Sequence, residues 1–307
     1  MKPDPDAHVH LAAGDASATV APDEGGVLLS LKVAGHELLS ARQPATGPVP
    51  RHGSFLMAPW VGELSLGQLR FRGRSAVVPA NHGRHAIHGL VATGAWQVAD
   101  VTPASTKLVR SLEPPWPFGG HVVQDVRLDA ESITLVAEVR AGEVAMPAAV
   151  GWHPWFACPD PTRVRVRVDA AAELELDDEL LPTGVVRPVT AETDLRKGPI
   201  LGDRQIDAVF VGARSPATLE LPDLTLDIHF DPAINNIVVY TSPGAVCIEP
   251  WSAWPDAFRM AAAGFPAGAR ELEPGESLRR WTRWAWTNGR GQQGRAVGTI
   301  LPANFGR

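Results

Sequence analysis

Residues 121–140 read HVVQDVRLDAESITLVAEVR and show most clearly what this chain builds. Two runs rich in valine, leucine and isoleucine, His121–Leu128 and Ser132–Arg140, flank the short segment 129–131. Both runs are short and neither keeps a helical period, so we predict that each is a β-strand. Because the same pattern recurs along the chain, strands should dominate the structure.

Further strands are predicted wherever a similar apolar run lies between glycine, proline, aspartate and asparagine residues. These runs are Ser17–Val20, Val27–Val33, Glu37–Leu39, Trp96–Val101, Arg163–Val168, Thr218–Leu221, Thr225–Phe230, Asn236–Tyr240 and Ala245–Ile248. No linker and no repeat of fixed period divides them. We therefore predict an all-β fold, a large antiparallel β-sandwich forming a single domain over residues 1–286. The tail at 287–307 should be poorly ordered or docked as a strap.

Composition limits the possible functions. The chain has 307 residues, of which 45% are hydrophobic and 20% charged, as in a globular protein. A net charge of −6 without basic blocks gives no reason to expect nucleic acid as a partner. The sequence shows neither an apolar leader nor a membrane span, so we expect a cytoplasmic protein. Cys158 and Cys247 are expected to be small core residues.

His153 is the first candidate for chemistry. It lies in the segment Gly151-Trp152-His153-Pro154-Trp155-Phe156, between tryptophans and before a proline. A partly apolar setting can hold the imidazole pKa near neutrality, which suits a proton donor. The alternative is a core histidine that bonds a backbone carbonyl.

Glu249 is the second candidate. It follows the apolar run Ala245–Ile248 and precedes Pro250 and Trp251. We predict that it ends a strand and places its carboxylate at the rim of a concave site. The alternative is an ordinary exposed glutamate at a strand end.

A run of histidines at positions 82, 85 and 88 raises the question of a metal. Zinc pairs on helices need a spacing of four residues, strands need two, and no acid or cysteine nearby completes a tetrahedron. We therefore predict no metal and no cofactor. His88, which precedes Gly89, is instead expected to hydrogen-bond a ligand hydroxyl that approaches the backbone closely.

In their order along the chain, these segments resemble the aldose 1-epimerase (galactose mutarotase) family. The resemblance extends from about Ala12 to Trp286. It also includes an opening that is similar to the family's first hairpins. The most specific similar segments are His85–Leu90, Gly151–Phe156, Gln205–Phe210, Cys247–Pro250 with Pro255–Ala257, and Leu272–Glu276.

The resemblance implies a galactose mutarotase-like supersandwich that interconverts the α and β anomers of an aldohexose. It implies that His153 is the catalytic acid, that Glu249 is the catalytic base, and that His88 and Asp207 contact sugar hydroxyls. Indole rings suit the apolar face of a sugar, so Trp60, Trp155, Trp251 and Trp254 are candidate stacking residues. The expected partner is a small aldose, and the protein should be a monomer or a homodimer.

Two departures from the family pattern concern the substrate. Gly62 and Glu63 stand where family members commonly carry an Asn-Arg pair, so a positive donor has become an acceptor. Arg51, Arg70 or Arg84 could supply the lost contact from another strand, or the preferred sugar could differ from galactose and glucose. The asparagine often found after the aromatic pair is also missing after Trp155-Phe156.

Three alternative functions remain. Arg70, Arg72 and Arg74 would share one face of a predicted strand, as the phosphate clamp of a hexose-6-phosphate mutarotase requires, although a solvated basic edge is favoured. A non-catalytic carbohydrate-binding protein could keep the same scaffold. A glycosidase is less favoured, because its usual paired carboxylates are not evident among the recognised segments.

Overall fold

A computed structural model of the chain describes residues 8–41 and 49–288, except for the side chain of Asn288. Within these ranges the first 13 strands are β1 (Val9–Ala13), β2 (Ala16–Ala21), β3 (Val27–Val33), β4 (His36–Glu37), β5 (Ser54–Met57), β6 (Glu63–Leu64), β7 (Gln68–Phe71), β8 (Arg74–Val77), β9 (Ala86–Ile87), β10 (Gln97–Thr102), β11 (Ser105–Ser111), β12 (His121–Asp129) and β13 (Ser132–Arg140).

The remaining strands are β14 (Met146–Ala148), β15 (Gly151–Ala157), β16 (Arg165–Asp169), β17 (Ala172–Leu176), β18 (Pro182–Pro188), β19 (Asp207–Val211), β20 (Arg214–Glu220), β21 (Leu224–Phe230), β22 (Asn236–Ser242), β23 (Ala245–Trp251), β24 (Arg270–Leu272) and β25 (Ser277–Asn288). The one α-helix of the described ranges is α1 (Ala257–Ala262), and short 3₁₀ turns lie at Pro22–Glu24, Ser65–Gly67 and Pro161–Arg163.

Two large sheets account for most of these strands. The larger sheet has the order β1-β2-β3-β5-β15-β23-β22-β19-β17-β18, with β4 added beside β3. The second sheet has the order β10-β11-β12-β13-β25-β21-β20-β16. Neighbouring strands in both sheets are antiparallel. The predicted all-β, antiparallel fold is therefore confirmed.

The two sheets pack face to face around a shared core. Phe156 of β15 meets Trp284 of β25 edge-on, with ring centroids 5.1 Å apart, and both side chains are fully buried. The same core contains Val122 and Ile133 from the second sheet. Because side chains alternate along a strand, every second residue of the larger sheet points into this sandwich. A single domain over residues 1–286 stays a prediction, which the shared core supports.

The opposite face of the larger sheet carries the chemically interesting residues. On β15, Trp152 and Phe156 belong to the sandwich core, whereas Trp155 belongs to a separate cluster on the other face. On β23, Cys247 and Trp251 belong to that same separate cluster. Strand alternation therefore sets His153 and Glu249 on the face turned away from the second sheet.

The predicted strands Val27–Val33 and Ser132–Arg140 are confirmed at both ends. The strand predicted to begin at Arg163 begins instead at Arg165, because Pro161–Arg163 forms a 3₁₀ turn. The prediction that Glu249 ends its strand is wrong, since β23 continues through Pro250 to Trp251. Glu249 therefore lies inside the sheet and not at its rim.

The predicted arginine strand is also wrong. Arg70 belongs to β7 and Arg74 to β8, and the chain reverses between them through Arg72 and Gly73, which have φ of 45° and 78°. Arg72 instead pairs with Glu271 at 2.8 Å and with Glu273 at 2.6 Å. The three arginines thus do not share one strand face as a phosphate clamp would require.

The predicted tail falls almost entirely on residues 289–307, which lie outside the described residues; β25 itself extends past Trp286 to Asn288. Among the helices of the described ranges, none has the length and apolar character needed to cross a membrane.

Candidate active site

A cleft of about 490 Å³ opens on the outer face of the larger sheet. Cavities of roughly 300–1,000 Å³ are typical of small-molecule sites. The described residues that line the cleft are Val49, Arg51, Glu63, His82, Ile87, His88, His153, Trp155, Leu176, Leu180, Asp207, Val209, Val238, Tyr240, Glu249, Trp251 and Pro255. Most of the side chains predicted to act on a ligand therefore lie in one place.

His153 and Glu249 face each other within this cleft. Strands β15 and β23 keep one register from Gly151 opposite Trp251 to Trp155 opposite Cys247. Between those pairs, Pro154 and Pro250 have no N–H to donate to the ladder. The same register sets His153 opposite Glu249, and Nε2 of His153 lies 3.5 Å from Oε1 of Glu249. An imidazole and a carboxylate that are distant in sequence thus meet on neighbouring strands.

The Glu249 carboxylate is 1% exposed, so its charged form loses most of its contact with water. Burial raises the pKa of Glu249 well above its ordinary value, and the negative charges of Asp207 and Glu63 raise it further. Trp251 opposes this rise, because its Nε1–H donates a hydrogen bond of 3.1 Å to Oε2. The result is a carboxylate that accepts a proton more readily than an exposed one.

The His153 ring is held between two aromatic rings. It stacks on Trp155 with centroids 5.0 Å apart and on Phe55 with centroids 4.8 Å apart. Burial lowers the pKa of His153 well below its usual value, and the positive charge of Arg51 lowers it further. Trp152, the residue before His153, points into the sandwich core and does not contact the cleft.

His88 lies beside this pair, with its ring edge-on to that of His153 at a centroid distance of 5.2 Å. Its backbone has a φ of 61°, which is uncommon outside glycine. Burial lowers the pKa of His88 to about 3, so the ring is neutral. Its Nδ1 is buried and has no hydrogen-bond partner among the described residues. A ligand hydroxyl could satisfy this atom.

The chain around His88 approaches the sheet too closely for a side chain at the next position. A Cβ added to Gly89 would lie 2.1 Å from the carbonyl oxygen of Ala58. The amide of His88 donates to the carbonyl of Gly62 at 2.9 Å. The glycine after His88 is therefore required for this loop to reach the cleft.

The side chains of the three histidines in this segment do not all point to one place. His82 lines the cleft and its Nδ1 lies 3.6 Å from Oε1 of Glu63, which raises the pKa of His82. His85 points elsewhere: its Nδ1 accepts from the amide of Leu66 at 3.0 Å, and its Nε2 lies 3.6 Å from Glu179. Each histidine has its own surroundings, so their regular spacing does not reflect a common ligand.

Glu63 lies at the cleft wall. Its side chain is buried, and the preceding Gly62 has a φ of 59°. A Cβ on Gly62 would lie 2.8 Å from Pro255 and 2.9 Å from the ring of Trp251. A larger residue at position 62 would therefore displace the tryptophan that bonds Glu249.

Asp207 begins β19 and lies opposite Tyr240 of β22. It is open to solvent, yet it sits within the cleft, and the surrounding protein and the charge of Glu63 raise its pKa. Tyr240 packs edge-on against Trp155 at a centroid distance of 5.9 Å. Asp207 can thus offer a carboxylate to a ligand lying on this aromatic surface.

Of the candidate arginines, Arg51 lines the cleft, with its guanidinium 5.6 Å from the ring centroid of Trp155. Arg84 pairs with Glu179, with an Nε–Oε1 distance of 2.7 Å. Arg70 lies on the exposed hairpin β7–β8 and does not line the cleft. Arg51 is therefore the one candidate whose position suits a ligand contact.

Trp155 and Trp251 line the cleft as predicted candidates, but Trp60 and Trp254 do not. Trp60 is buried in the sandwich core and stacks on Trp116 with centroids 6.2 Å apart. Trp254 is buried in the cluster beneath the cleft. Trp60 and Trp254 are therefore not placed to stack on a sugar in the cleft.

Sequence pattern alone does not connect two residues with the site: Tyr240, which lines the cleft, and Cys247, which is buried beside it. Tyr240 is the chain's one tyrosine and lies in a predicted strand, but only the strand pairing shows that it opposes Asp207. Cys247 was assigned to the core, and its burial agrees with that, but it also lies two residues from Glu249 on the same strand face. The spacing of two residues between Cys247 and Glu249 in a predicted strand is the sequence feature that indicates a shared face.

Comparisons with known proteins find relatives in both sequence and fold. The chain is 26% identical over 264 residues to the uncharacterized protein YihR of Escherichia coli K12, covering 81% of this chain and 85% of that protein. Its fold resembles a putative aldose 1-epimerase from E. coli K12, with a TM-score of 0.79, 20% identity, and coverage of 92% and 99% of the two chains.

It also resembles a galactose mutarotase-like protein from Clostridium acetobutylicum, with a TM-score of 0.80, 18% identity, and coverage of 92% and 95%. At such identities the solved structures establish the fold alone. The sequence model of the family described as Aldose 1-epimerase matches residues 7–285. Since that match spans nearly the whole chain, the protein belongs to the aldose 1-epimerase family.

Proposed function

We propose that the protein interconverts the α and β anomers of a free aldohexose by acid–base opening and closing of the pyranose ring. The observation that carries this proposal is the opposition of His153 Nε2 and Glu249 Oε1 at 3.5 Å in the cleft. Simple binding of a sugar needs no such pair, whereas ring opening needs a proton donor and a proton acceptor on either side of C1.

The reaction transfers two protons, one from His153 to the sugar and one from the sugar to Glu249. Glu249 takes the proton from the anomeric hydroxyl while His153 gives a proton to the ring oxygen, so the C1–O5 bond breaks and a carbonyl forms. After rotation about C1–C2, the O5 hydroxyl attacks the other carbonyl face. His153 then recovers its proton, and Glu249 returns one to the new anomeric oxygen. His88 and Asp207 hold other hydroxyls, and Trp155 and Trp251 cover the sugar's apolar face.

The charges of the cleft support a neutral aldose over a sugar phosphate. Three carboxylates line it, those of Glu63, Asp207 and Glu249, and Arg51 is the one arginine or lysine among the described lining residues. A phosphate would meet like charge on several sides, which costs affinity. Arg70 and Arg72, once candidates for a clamp, lie outside this lining.

Polarimetry on freshly dissolved α-glucose and α-galactose, and on their 6-phosphates, tests the proposal. We expect the protein to accelerate mutarotation of at least one free sugar. We expect the corresponding 6-phosphate to react with kcat/KM at least about tenfold lower, because like charges are brought together. Sugar binding without faster mutarotation would indicate a carbohydrate-binding protein, and release of reducing ends from glycosides would indicate a hydrolase; either result contradicts the proposal.

The plot of reaction rate against pH should be bell-shaped. The productive pair shares one proton, which moves from His153 to the sugar while Glu249 gains another, so the pair titrates as a unit. Activity should fall at low pH, when both groups are protonated, and at high pH, when neither is. Because burial lowers the pKa of His153 and raises that of Glu249, the active range should extend below the ordinary imidazole pKa of about 6.5.

Measurement of kcat/KM across this pH range, with a chelator present, tests whether the profile is bell-shaped. Arg51, His88, Asp207 and Glu63 face the pair and set its limits together. A pH profile that falls on only one side would contradict the claim that His153 and Glu249 share one proton.

The H88A and D207A variants should mainly weaken substrate binding. A lost hydrogen bond costs about 0.5–1.5 kcal/mol, and one to a charged group about 1.5–3 kcal/mol. We therefore expect KM to rise several-fold for H88A and at least about tenfold for D207A, with smaller changes in kcat. The exposed residues His36 and Asp100 supply matched controls, H36A and D100A. An unchanged KM in both H88A and D207A would remove these residues from the binding site.

A further inference from the structure

A third side chain that can act as a metal ligand is buried beside the His153–Glu249 pair. Cys247 precedes Glu249 by two residues on β23 and so points to the same face. The ligand atoms of His153, Cys247 and Glu249 all lie within 4.8 Å of one another. In the described part of the chain, this is the one group of three such side chains that could hold a metal ion.

The donor set suits a soft or borderline divalent cation. Thiolate, imidazole and carboxylate are the common protein ligands of Zn²⁺, at about 2.0–2.3 Å, and thiolate also favours soft metals. Two ligands about 2.1 Å from a tetrahedral ion lie roughly 3.4 Å apart, close to the 3.5 Å between Nε2 of His153 and Oε1 of Glu249. The Cys247 sulfur lies within 4.8 Å of both ligand atoms, so its side chain would have to move toward them to complete the three-ligand set.

Two further observations favour a cation here. Nδ1 of the buried His153 has no hydrogen-bond partner among the described residues, so a cation bound to this ring displaces no hydrogen bond of that nitrogen. Asp207 and Glu63 add negative charge close to Glu249. Because His153 and Glu249 line the cleft, water could reach a cation bound to them.

We propose that His153, Cys247 and Glu249 form a binding site for a thiophilic divalent cation, such as Zn²⁺ or Cd²⁺, whose occupancy blocks the cleft. A metal–sulfur bond forms as the Cys247 S–H bond breaks, and the cation replaces the proton that His153 and Glu249 share. The thiol proton and the shared proton both leave to solvent; nothing is oxidised or reduced. Binding of the cation is independent of the proposed function. Its effect as an inhibitor rests on that function, because the cation occupies the proposed acid and base.

Titration of the purified protein with Cd²⁺, in the absence of sugar, tests the site directly. We expect one cation per chain, a new near-ultraviolet absorption from cadmium–thiolate charge transfer, and proton release. The C247A and C247S variants should lose this absorption. Both should bind Cd²⁺ more weakly by more than the roughly 10–100-fold typical for loss of an outer-shell partner of a metal ligand. C247S keeps the side-chain size in case C247A packs poorly.

The second cysteine gives the matched control. Cys158 is buried beyond β15 and lines a different cavity, with Thr162 and Arg204. The C158A variant should bind Cd²⁺ as the wild type does. Loss of the thiolate absorption in C158A, its retention in C247A and C247S, or no Cd²⁺ binding to the wild type would overturn the proposal.

The same titration followed by polarimetry separates binding from function. We expect Zn²⁺ or Cd²⁺ to slow mutarotation by the wild type and by C158A, and a chelator to restore the rate. C247A should be inhibited only at much higher cation concentrations. Equal sensitivity of C247A and wild type would overturn the role of Cys247. If no mutarotation occurs at all, the proposed function fails, while the Cd²⁺ binding result still decides the metal site.

Discussion

The E249Q variant is expected to lower the catalysed rate of mutarotation by at least about 10²-fold, the usual contribution of a general base. Glutamine has nearly the same shape as glutamate, and its amide oxygen can still accept the hydrogen bond that Trp251 donates at 3.1 Å. The amide cannot, however, take the anomeric proton. The loss should therefore appear in kcat, while KM and the folded structure change little.

Polarimetry on the sugar that the wild type turns over best measures this loss. The matched control is E271Q, since Glu271 is exposed on β24 and does not line the cleft. A thermal unfolding curve shows whether E249Q stays folded. A folded E249Q variant with a near-normal rate would remove Glu249 from its role as the base.

The H153N variant should show a loss of similar size, at least about 10²-fold, because the general acid is removed. Asparagine keeps a polar group on β15 but has no ionisable proton to give to the ring oxygen. It also loses the stacking on Phe55 and Trp155. Some loss of stability is therefore expected beside the loss in kcat.

The control for H153N is H229N, which replaces a half-buried histidine of β21 outside the cleft. The rate should be measured well below the unfolding temperature of H153N, so that only folded protein is compared. Comparable rates for H153N and H229N under those conditions would show that His153 gives no proton to the sugar.

Sequence alone could predict the strands with clear apolar runs and the two segments that contain His153 and Glu249. Val27–Val33 and Ser132–Arg140 have long apolar runs with clear turn residues at both ends, so their bounds follow from pattern. His153 and Glu249 could be named because each sits in a segment of unusual composition. The family resemblance then connected the two segments, because they occur in the same order along the chain as in that family.

Sequence could not show which strands become neighbours. The opposition of His153 and Glu249 depends on the pairing of β15 with β23, whose members are far apart in the chain. The same holds for Asp207 and Tyr240. The end of β23 was missed because Pro250 reads as a strand terminator, although a proline within a strand removes only one donor.

The tryptophans show another limit of sequence pattern. Trp60 and Trp155 are equally plausible stacking residues by type. Trp60, however, belongs to the sandwich core, whereas Trp155 belongs to the separate cluster on the other face of the larger sheet. Arg70 and Arg74 similarly look like one strand until the hairpin at Arg72 and Gly73 separates them. In each case, tertiary placement decides what residue type leaves open.

A crystal structure of the E249Q variant with a bound aldohexose tests most directly whether one sugar ring lies between His153 and residue 249. The account predicts that C1 sits between them, with His153 Nε2 in hydrogen-bond reach of the ring oxygen and Gln at position 249 in reach of the anomeric hydroxyl. A sugar bound in the cleft with C1 turned away from both side chains, or bound outside it, would contradict the account.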